Sequence, residues 1–238
     1  MSYLEIYNET INDLFNKENQ NLKIVSDTNF GTNVMGLTQQ QIETFDQAML
    51  LVNYGEENRI YKETHIHEHS SRSHTIFRVF IQKRVTVKDS EEDKIFYSTL
   101  NLVDLAGSER LYDHDMKQDI HDETAHINKS LFTLSLVINK LAEGNASHIP
   151  YRDSKLTRIL QNSLGGNSLT AIICTISPAS INFFQTIGTL KFAKRAGSVK
   201  TAAKQNQYAD KSETLEEKIR ILREKLDEKN AQLATVRM

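Results

Sequence analysis

The chain contains few of the residues that cross-link small secreted domains or interrupt secondary structure. Of its 238 residues one is cysteine, two are proline and none is tryptophan. The single cysteine, Cys174, excludes an internal disulfide and fits a reducing compartment such as the cytosol. We therefore expect an apolar core to stabilise the fold, and the length is sufficient for one sizeable α/β domain with an appendage.

Long apolar runs and an excess of one charge are also missing. No stretch approaches the roughly 20 apolar residues of a membrane-spanning helix, and residues 1–5 do not resemble a signal peptide. Lysine and arginine number 29 against 31 aspartates and glutamates, which gives a net charge of −2. We expect neither a membrane nor a nucleic acid as partner, and any polyanionic partner has to bind a local basic patch.

The most informative stretch is a β-favouring run from Thr99 to Asp104, with Gly107 three residues later. In nucleotide-binding α/β proteins a buried strand of this kind presents its carboxylate to Mg²⁺ and then turns beside the terminal phosphate. A core strand that ends in an ordinary Asp-containing turn is the alternative. Ser70–His74 could close over a phosphate, and its Arg72 is suited to an ion pair with Glu109.

Local patterns predict the order of the elements. The first half should hold strands at 2–8, 22–25, 33–41, 74–87 and 94–105, a short helix at 11–15, and a helix at 45–59 capped by Thr44. The second half should hold helices at 128–143, 156–163 and 185–199. A nearly continuous apolar strand at 169–177, which contains Cys174, should be buried on both faces.

Beyond residue 201 the composition changes. Leucines and an isoleucine recur in 4-3-4-7 steps between residues 215 and 233, with charged residues between them. This spacing predicts the beginning of a coiled coil or, because three heptads are short, a solvated amphipathic helix.

Several segments together resemble the signature sequences of the kinesin motor domain, and they occur in the right order. They are Tyr3–Glu9 (YLEIYNE), Ser70–His74 (SSRSH), Asp104–Arg110 (DLAGSER), Asn128–Leu131 (NKSL), His148–Arg158 (HIPYRDSKLTR) and Ser163–Ser168 (SLGGNS). The resemblance covers roughly residues 2–200, and the strand around Cys174 looks closest to the centromere-associated, kinesin-7-like group.

The resemblance implies the three-layer α/β fold of a kinesin-type P-loop NTPase, a central mixed sheet with helices on both faces. The sheet would be incomplete at the N-terminus, and a coiled-coil helix would follow. Residues 1–200 would be a partial motor domain, 201–211 a neck linker and 212–238 the start of a dimerising stalk. The parent protein would couple hydrolysis of ATP, held with Mg²⁺, to movement along microtubules in the cytoplasm.

The resemblance also implies roles for residues at the nucleotide. Ser70 would lie near the attacking water and Ser71 near Mg²⁺, which Asp104 would hold through water. The amide of Gly107 would sense the γ-phosphate. Arg72 and Glu109 would form the salt bridge that positions the hydrolytic water.

A second group of residues would contact the track. Helix 128–143 would relay the phosphate state to the microtubule face. Contacts with the acidic tubulin surface are implied for Lys129, Arg152, Lys155 and Arg158. The alternative for this basic segment is a solvated turn in which Arg152 and Asp153 pair with each other.

The sequence contains no G-x-x-x-x-G-K-[ST] loop to hold the β- and γ-phosphates. The nearest match, Gly31–Thr38, has Leu37 in place of the lysine and lies in a strand-like context, so we interpret it as a hairpin turn. The sequence thus resembles a motor domain without its first third, and we expect no ATP hydrolysis by this chain alone. A non-catalytic microtubule-binding and coiled-coil protein is the alternative function, and a P-loop GTPase or other NTPase is a weaker one.

Other features depart from the kinesin pattern or concern the surface. His67 stands where kinesins usually have asparagine, and residues 111–121 replace the usual glycine-rich loop, which bears on the switch kinetics. His65, His67 and His69 alternate as zinc ligands could, but the loop has no cysteine nearby and we do not favour a metal there. Missing central strands would leave unpaired sheet edges, so we expect poor solubility.

Overall fold

A computed structural model describes residues 1–27, 31–60, 73–85, 94–107, 118–144 and 148–209. Within this part, the elements in chain order are β1 (Ser2–Tyr7), β2 (Thr10–Asp13), β3 (Lys23–Asp27), β4 (Gly31–Met35), α1 (Phe45–Ile60), β5 (His74–Val85), β6 (Lys94–Asp104), α2 (Gln118–Glu143), α3 (Lys155–Ile159), α4 (Phe183–Ala196) and β7 (Gln207–Ala209). Two 3₁₀ turns, at Tyr151–Asp153 and Ser180–Asn182, precede α3 and α4. The predicted coiled coil lies outside the described residues.

The strands form two sheets. The larger sheet has the order β2-β1-β5-β6-β7, and β3 pairs with β4 in a separate hairpin. β1 is antiparallel to both β2 and β5, with Leu4 opposite Asp13 on one side and Ile76 on the other. The chain divides into two compact units, one of residues 1–80 and 99–204 and one of residues 81–98 and 205–238.

Helices pack on both faces of β1 because its side chains alternate between the two faces. Leu4 and Ile6 are buried with Val137 and Ile138 of α2 and with Leu156 of α3. Tyr3 points to the other face, into a cluster that α1 covers. Burying an aliphatic side chain of this size contributes about 1.5–3 kcal/mol, so a hydrophobic cluster stabilises each face of β1.

The segment predicted to be a short helix at 11–15 is instead the strand β2. Asn8 and Glu9 both adopt left-handed backbone angles, with φ of 50° and 55°. Two successive residues of this kind make the tight turn that matches the twist of a hairpin, so the chain returns along β1. Asparagine favours such a turn but glutamate does not, so the residue types at this turn carry no hairpin signal.

The segment Gly31–Thr38 is a hairpin strand and its exit, as interpreted from the sequence. Gly31–Met35 pairs with β3, and Gly36, at φ 80°, ends the strand. The strand predicted at 33–41 therefore extends too far. Beyond Gly36 the backbone no longer pairs with β3, and the N–H of Thr38 donates instead to the Asp13 carboxylate at 2.7 Å.

The helix α1 begins where the sequence predicts. The Thr44 hydroxyl accepts the backbone N–H of Gln47 at 3.2 Å, and the Gln47 side-chain oxygen accepts the N–H groups of Thr44 at 3.4 Å and Glu43 at 2.9 Å. This reciprocal cap satisfies amides that the first helical turn leaves without partners. Gly55 allows α1 to approach β1 closely, because a Cβ atom there would lie 2.4 Å from the Tyr3 ring.

The helix α2 begins well before the predicted residue 128. Residues 118–127 have no apolar period, which is why the pattern did not reveal them, but they contain neither glycine nor proline. A helix whose later turns are packed can extend through such residues at little cost. Its predicted end is confirmed, since Gly144 follows Glu143 at φ 75°. The neighbouring α3 is shorter than predicted and ends at Ile159.

The strand predicted at 169–177 does not form. The segment has no regular structure, Leu169 and Ile173 are 89% and 92% exposed, and Cys174 is half-buried rather than buried. A strand requires a neighbour for its backbone, and no described strand pairs with this segment. The strand β6 shows a related effect. In the part of β6 that belongs to the larger unit, β5 is the only neighbouring strand among the described residues, and Leu102 there is 54% exposed.

The last helix of the described part, α4, begins two residues earlier than predicted and ends at Ala196 instead of 199. Its side chain Arg195 donates to the Asn139 side chain of α2 at 2.9 Å. Among the described helices, none is long and apolar enough to cross a membrane.

Candidate functional site

Asp104 ends β6 with an accessible carboxylate. Its side chain is 73% exposed, and Oδ2 lies 3.8 Å from Nη1 of Arg59. Arg59 comes from the last turn of α1, is almost buried, and also lies 3.8 Å from Glu56. The carboxylate predicted to hold Mg²⁺ through water is thus open to solvent on one side and close to a fixed positive charge on the other.

The loop after Asp104 is bound to a histidine that the sequence analysis did not single out. The N–H of Ala106 donates to Nδ1 of His74 at 2.9 Å. Nε2 of the same ring lies 2.7 Å from the hydroxyl of Ser130 on α2. Burial lowers the pKa of His74 to about 4, so the ring is neutral at physiological pH. The only sequence signal was its place at the end of the segment Ser70–His74.

Other predicted residues of the nucleotide site lie outside the described part of the chain. They are Ser70, Ser71, Arg72 and Glu109. The predicted salt bridge between Arg72 and Glu109 therefore remains a prediction. Gly107, the predicted phosphate sensor, follows the Ala106 amide that His74 holds and is half-buried.

The basic segment Tyr151–Arg158 is fixed by hydrogen bonds of its own. The hydroxyl of Tyr151 donates to the Leu164 carbonyl at 2.6 Å, and burial raises the pKa of that hydroxyl. The Thr157 hydroxyl donates to the Tyr151 carbonyl at 2.8 Å. The Ser154 hydroxyl caps α3 by accepting the Leu156 N–H at 3.1 Å. The segment thus has one defined conformation from the 3₁₀ turn to α3.

Glu9, from the turn between β1 and β2, supports the same segment. Its carboxylate accepts the Ser154 hydroxyl at 3.1 Å and the Lys155 backbone N–H at 2.8 Å. A negative charge at a helix N-terminus also interacts favourably with the helix dipole. This contact offsets the cost of a left-handed glutamate, and sequence analysis missed it because the partners are 145 residues apart.

The predicted track-binding side chains are at least partly exposed to solvent, on the segment Tyr151–Arg158 and on the neighbouring helix α2. Lys129 and Arg152 are exposed, and Lys155 and Arg158 are half-buried. The described ion pairs include none between Arg152 and Asp153, so the alternative of a self-paired turn lacks support. α2 packs against α3 and against the preceding 3₁₀ turn. The basic side chains therefore stand on elements that belong to one packed group.

Of the residues predicted to form a neck linker, those that the structure describes, 201–209, are extended and bonded through their backbone. In the larger unit, the N–H of Ala202 donates to the Gly166 carbonyl at 3.3 Å and that of Lys204 to the Asn167 side chain at 2.5 Å. In the smaller unit, β7 pairs with Lys94–Phe96 of β6, and Asn206 bonds the backbone of Tyr97. The boundaries of the neck linker, residues 201 and 211, remain a prediction.

Comparison with known proteins explains this arrangement. The family model of the kinesin motor domain matches residues 1–199. The chain belongs to the kinesin family. Kinesin-related protein 11 of Dictyostelium discoideum is 47% identical over 217 residues, which cover 88% of this chain and 32% of that protein. Kinesin-like protein KIN-7N of Arabidopsis thaliana is 48% identical over 209 residues, 87% of this chain and 25% of that protein.

Solved kinesin structures share the fold. A fast kinesin superposes with a TM-score of 0.75 at 39% identity, over 90% of this chain and 59% of that one. A KIF14 dimer bound to a microtubule with AMP-PNP also gives a TM-score of 0.75, at 37% identity, over 85% of this chain and 58% of that one. The predicted kinesin-type P-loop NTPase fold is confirmed, and the similarity to KIN-7 kinesins agrees with the predicted group. The chain spans a third or less of these curated relatives.

Kinesin motor domains bind a nucleotide with Mg²⁺, and the described residues fit only one side of that ligand. The exposed Asp104 carboxylate suits a hard cation that keeps its water. The sequence of the chain has no phosphate-binding loop, and the residues nearest to that pattern form the strand β4. The group thus does not fit as a whole, and we assign no step of hydrolysis to these residues.

Proposed function

We propose that this chain is part of a microtubule motor, of which it carries the track-binding surface and the phosphate-sensing loop. The observation that carries the proposal is the basic segment Tyr151–Arg158, which Glu9 and its own hydrogen bonds hold in one conformation. A basic segment with a fixed conformation suits a partner with a regular acidic surface, because little side-chain and backbone entropy is lost on binding.

The intact motor would couple ATP hydrolysis to movement along microtubules in the cytoplasm. Ser71 and Asp104 would hold Mg²⁺ there, and Arg72 with Glu109 would position the hydrolytic water beside Ser70 and Gly107. Residues 212–238 would begin a stalk that makes a homodimer. This chain alone would not hydrolyse ATP, because it has no loop for the phosphates, and microtubule-stimulated turnover by the pure chain would contradict this.

Co-sedimentation with polymerised tubulin tests the track-binding surface. The variant Lys155→Glu/Arg158→Glu reverses two charges of the surface and should weaken binding about tenfold, with the loss largest at low salt. The control, Lys83→Glu/Lys94→Glu, makes the same change of net charge at exposed positions of β5 and β6. Equal binding by the two variants would overturn the proposed surface.

A non-catalytic microtubule-binding protein derived from a kinesin is the second candidate. The observation that favours it is the β-strand at the nearest match to a phosphate-binding loop. The DNA upstream of the Met1 codon decides between the two. An in-frame Gly-x-x-x-x-Gly-Lys-Thr segment would support the motor, and stop codons or unrelated sequence would support the binding module.

A further inference from the structure

We propose that His74 is a positioning residue that joins the loop carrying Gly107 to the helix α2 through one neutral tautomer of its imidazole. The inference deepens the proposed function and rests on it, because this loop and this helix are its sensor and its relay. The positions of the three bonded groups, Ala106, His74 and Ser130, carry the argument.

The direction of both hydrogen bonds follows from the chemistry of the donor. A backbone N–H can only donate, so Nδ1 of His74 must be unprotonated to accept the Ala106 amide at 2.9 Å. The neutral ring then has its proton on Nε2, which donates to the Ser130 hydroxyl at 2.7 Å. The bridge therefore runs from Ala106 through the ring to Ser130.

The bridge is buried along its whole length. His74 and Ser130 are each 2% exposed and Ala106 is 5% exposed. Water cannot replace a lost partner at such a position, so a broken bond would leave a buried polar group unsatisfied. Asparagine could supply only the acceptor for Ala106, and leucine, of similar volume, could supply neither bond. The two bonds are thus separable by substitution.

The bridge couples a loop to a helix that reaches the track-binding segment. Ala106 immediately precedes Gly107, and Ser130 lies on α2 before the core residues Leu134 and Val137. A hydrogen bond of 2.9 Å is lost when its atoms separate by about 1 Å more, so a larger shift of the loop either moves α2 with it or breaks the bridge. Because α2 packs against α3, the coupling extends to Lys155 and Arg158.

Amide hydrogen exchange on the free chain tests the first bond. In the wild type the Ala106 amide should exchange slowly, and His74→Asn should retain this protection because its side-chain oxygen takes the place of Nδ1. His74→Leu should accelerate exchange at Ala106 by about tenfold or more. Equal protection of the Ala106 amide in the asparagine and leucine variants would overturn the positioning role, because an acceptor at residue 74 would then make no difference.

Exchange in the presence of microtubules tests the second bond. Binding should change the protection of Ala106 in the wild type, and His74→Asn and Ser130→Ala should both abolish that change, since each removes the link to α2. A change that persists in Ser130→Ala would refute the link. The control variant Lys83→Glu/Lys94→Glu should behave as the wild type. Failure of the wild type to bind microtubules would defeat the proposed function, whereas the result on the free chain would still decide the role of His74.

Discussion

Acid should destabilise the folded chain through His74 in particular. Burial depresses the pKa of this histidine from 6.5 to about 4 in the folded state. Below pH 6.5 the unfolded chain binds a proton at this residue that the folded chain rejects, so stability is lost as the pH falls from 6.5 towards 4. The ring is 2% exposed, and solvent therefore screens the effect little.

The size of the effect follows from the two pKa values. Each pH unit between them contributes about 1.4 kcal/mol, so the full span is worth about 3 kcal/mol and the interval from pH 6.5 to 5 about 2 kcal/mol. Other histidines and carboxylates also titrate in this range. The prediction therefore concerns the difference in unfolding free energy between the wild type and His74→Asn, in which this titration is removed.

Urea unfolding followed by circular dichroism at low micromolar concentration measures that difference. Wild type should be more stable than His74→Asn at pH 7.5, and the gap should narrow by about 2 kcal/mol at pH 5. His148→Asn, the same substitution at an exposed histidine, is the matched control. A gap between wild type and His74→Asn that is the same at both pH values would refute the assignment of a buried, neutral ring.

Three further predictions concern packing and surface. Glu9→Ala should lower the unfolding free energy by about 1–2 kcal/mol and weaken microtubule binding, because the caps on Ser154 and Lys155 are lost; unchanged binding would show that the basic segment does not need them. Gly55→Ala should destabilise by about 1–3 kcal/mol through its clash with Tyr3, whereas Gly188→Ala, in α4 with open space around it, should stabilise by about 0.5–1 kcal/mol; a similar change in melting temperature for both would contradict this packing. Ile173→Lys should reduce the aggregation predicted for this chain without loss of thermal stability, and a lower melting temperature would mean that Ile173 is buried in solution.

Elements whose signals are local could be predicted from the sequence. β1 alternates apolar and polar residues, a capping threonine immediately precedes α1, and a glycine immediately follows α2. The strand that ends at Asp104 was also predicted, since its β-favouring run and its turn lie within a few residues. These features depend on neighbouring residues only, so composition and spacing are sufficient to find them.

Features that depend on distant partners were missed. The turn at Asn8 and Glu9 is stabilised by a helix 145 residues away, and the ring of His74 is held by a hydroxyl 56 residues away. The apolar residues 169–177 indicate that their burial would be favourable. A strand also requires a neighbouring strand for its backbone hydrogen bonds, and the composition of the segment does not show whether one is present. The resemblance to kinesin motifs identifies the family from whole segments. It therefore assigns no role to Glu9 or His74, although each of them ends one of those segments.

The length of α2 gives its contact with His74 a mechanical consequence. The helix has 26 residues, and at 1.5 Å per residue it is about 39 Å long. Ser130 lies close to its midpoint, so a pin at this residue divides the helix into two arms of roughly 20 Å. A tilt of about 5° around Ser130 would move the two ends of the helix by about 1.7 Å in opposite directions. Because a rotation leaves its centre in place, the bond between His74 and Ser130 could persist while each end of the helix moves by more than the length of a C–C bond.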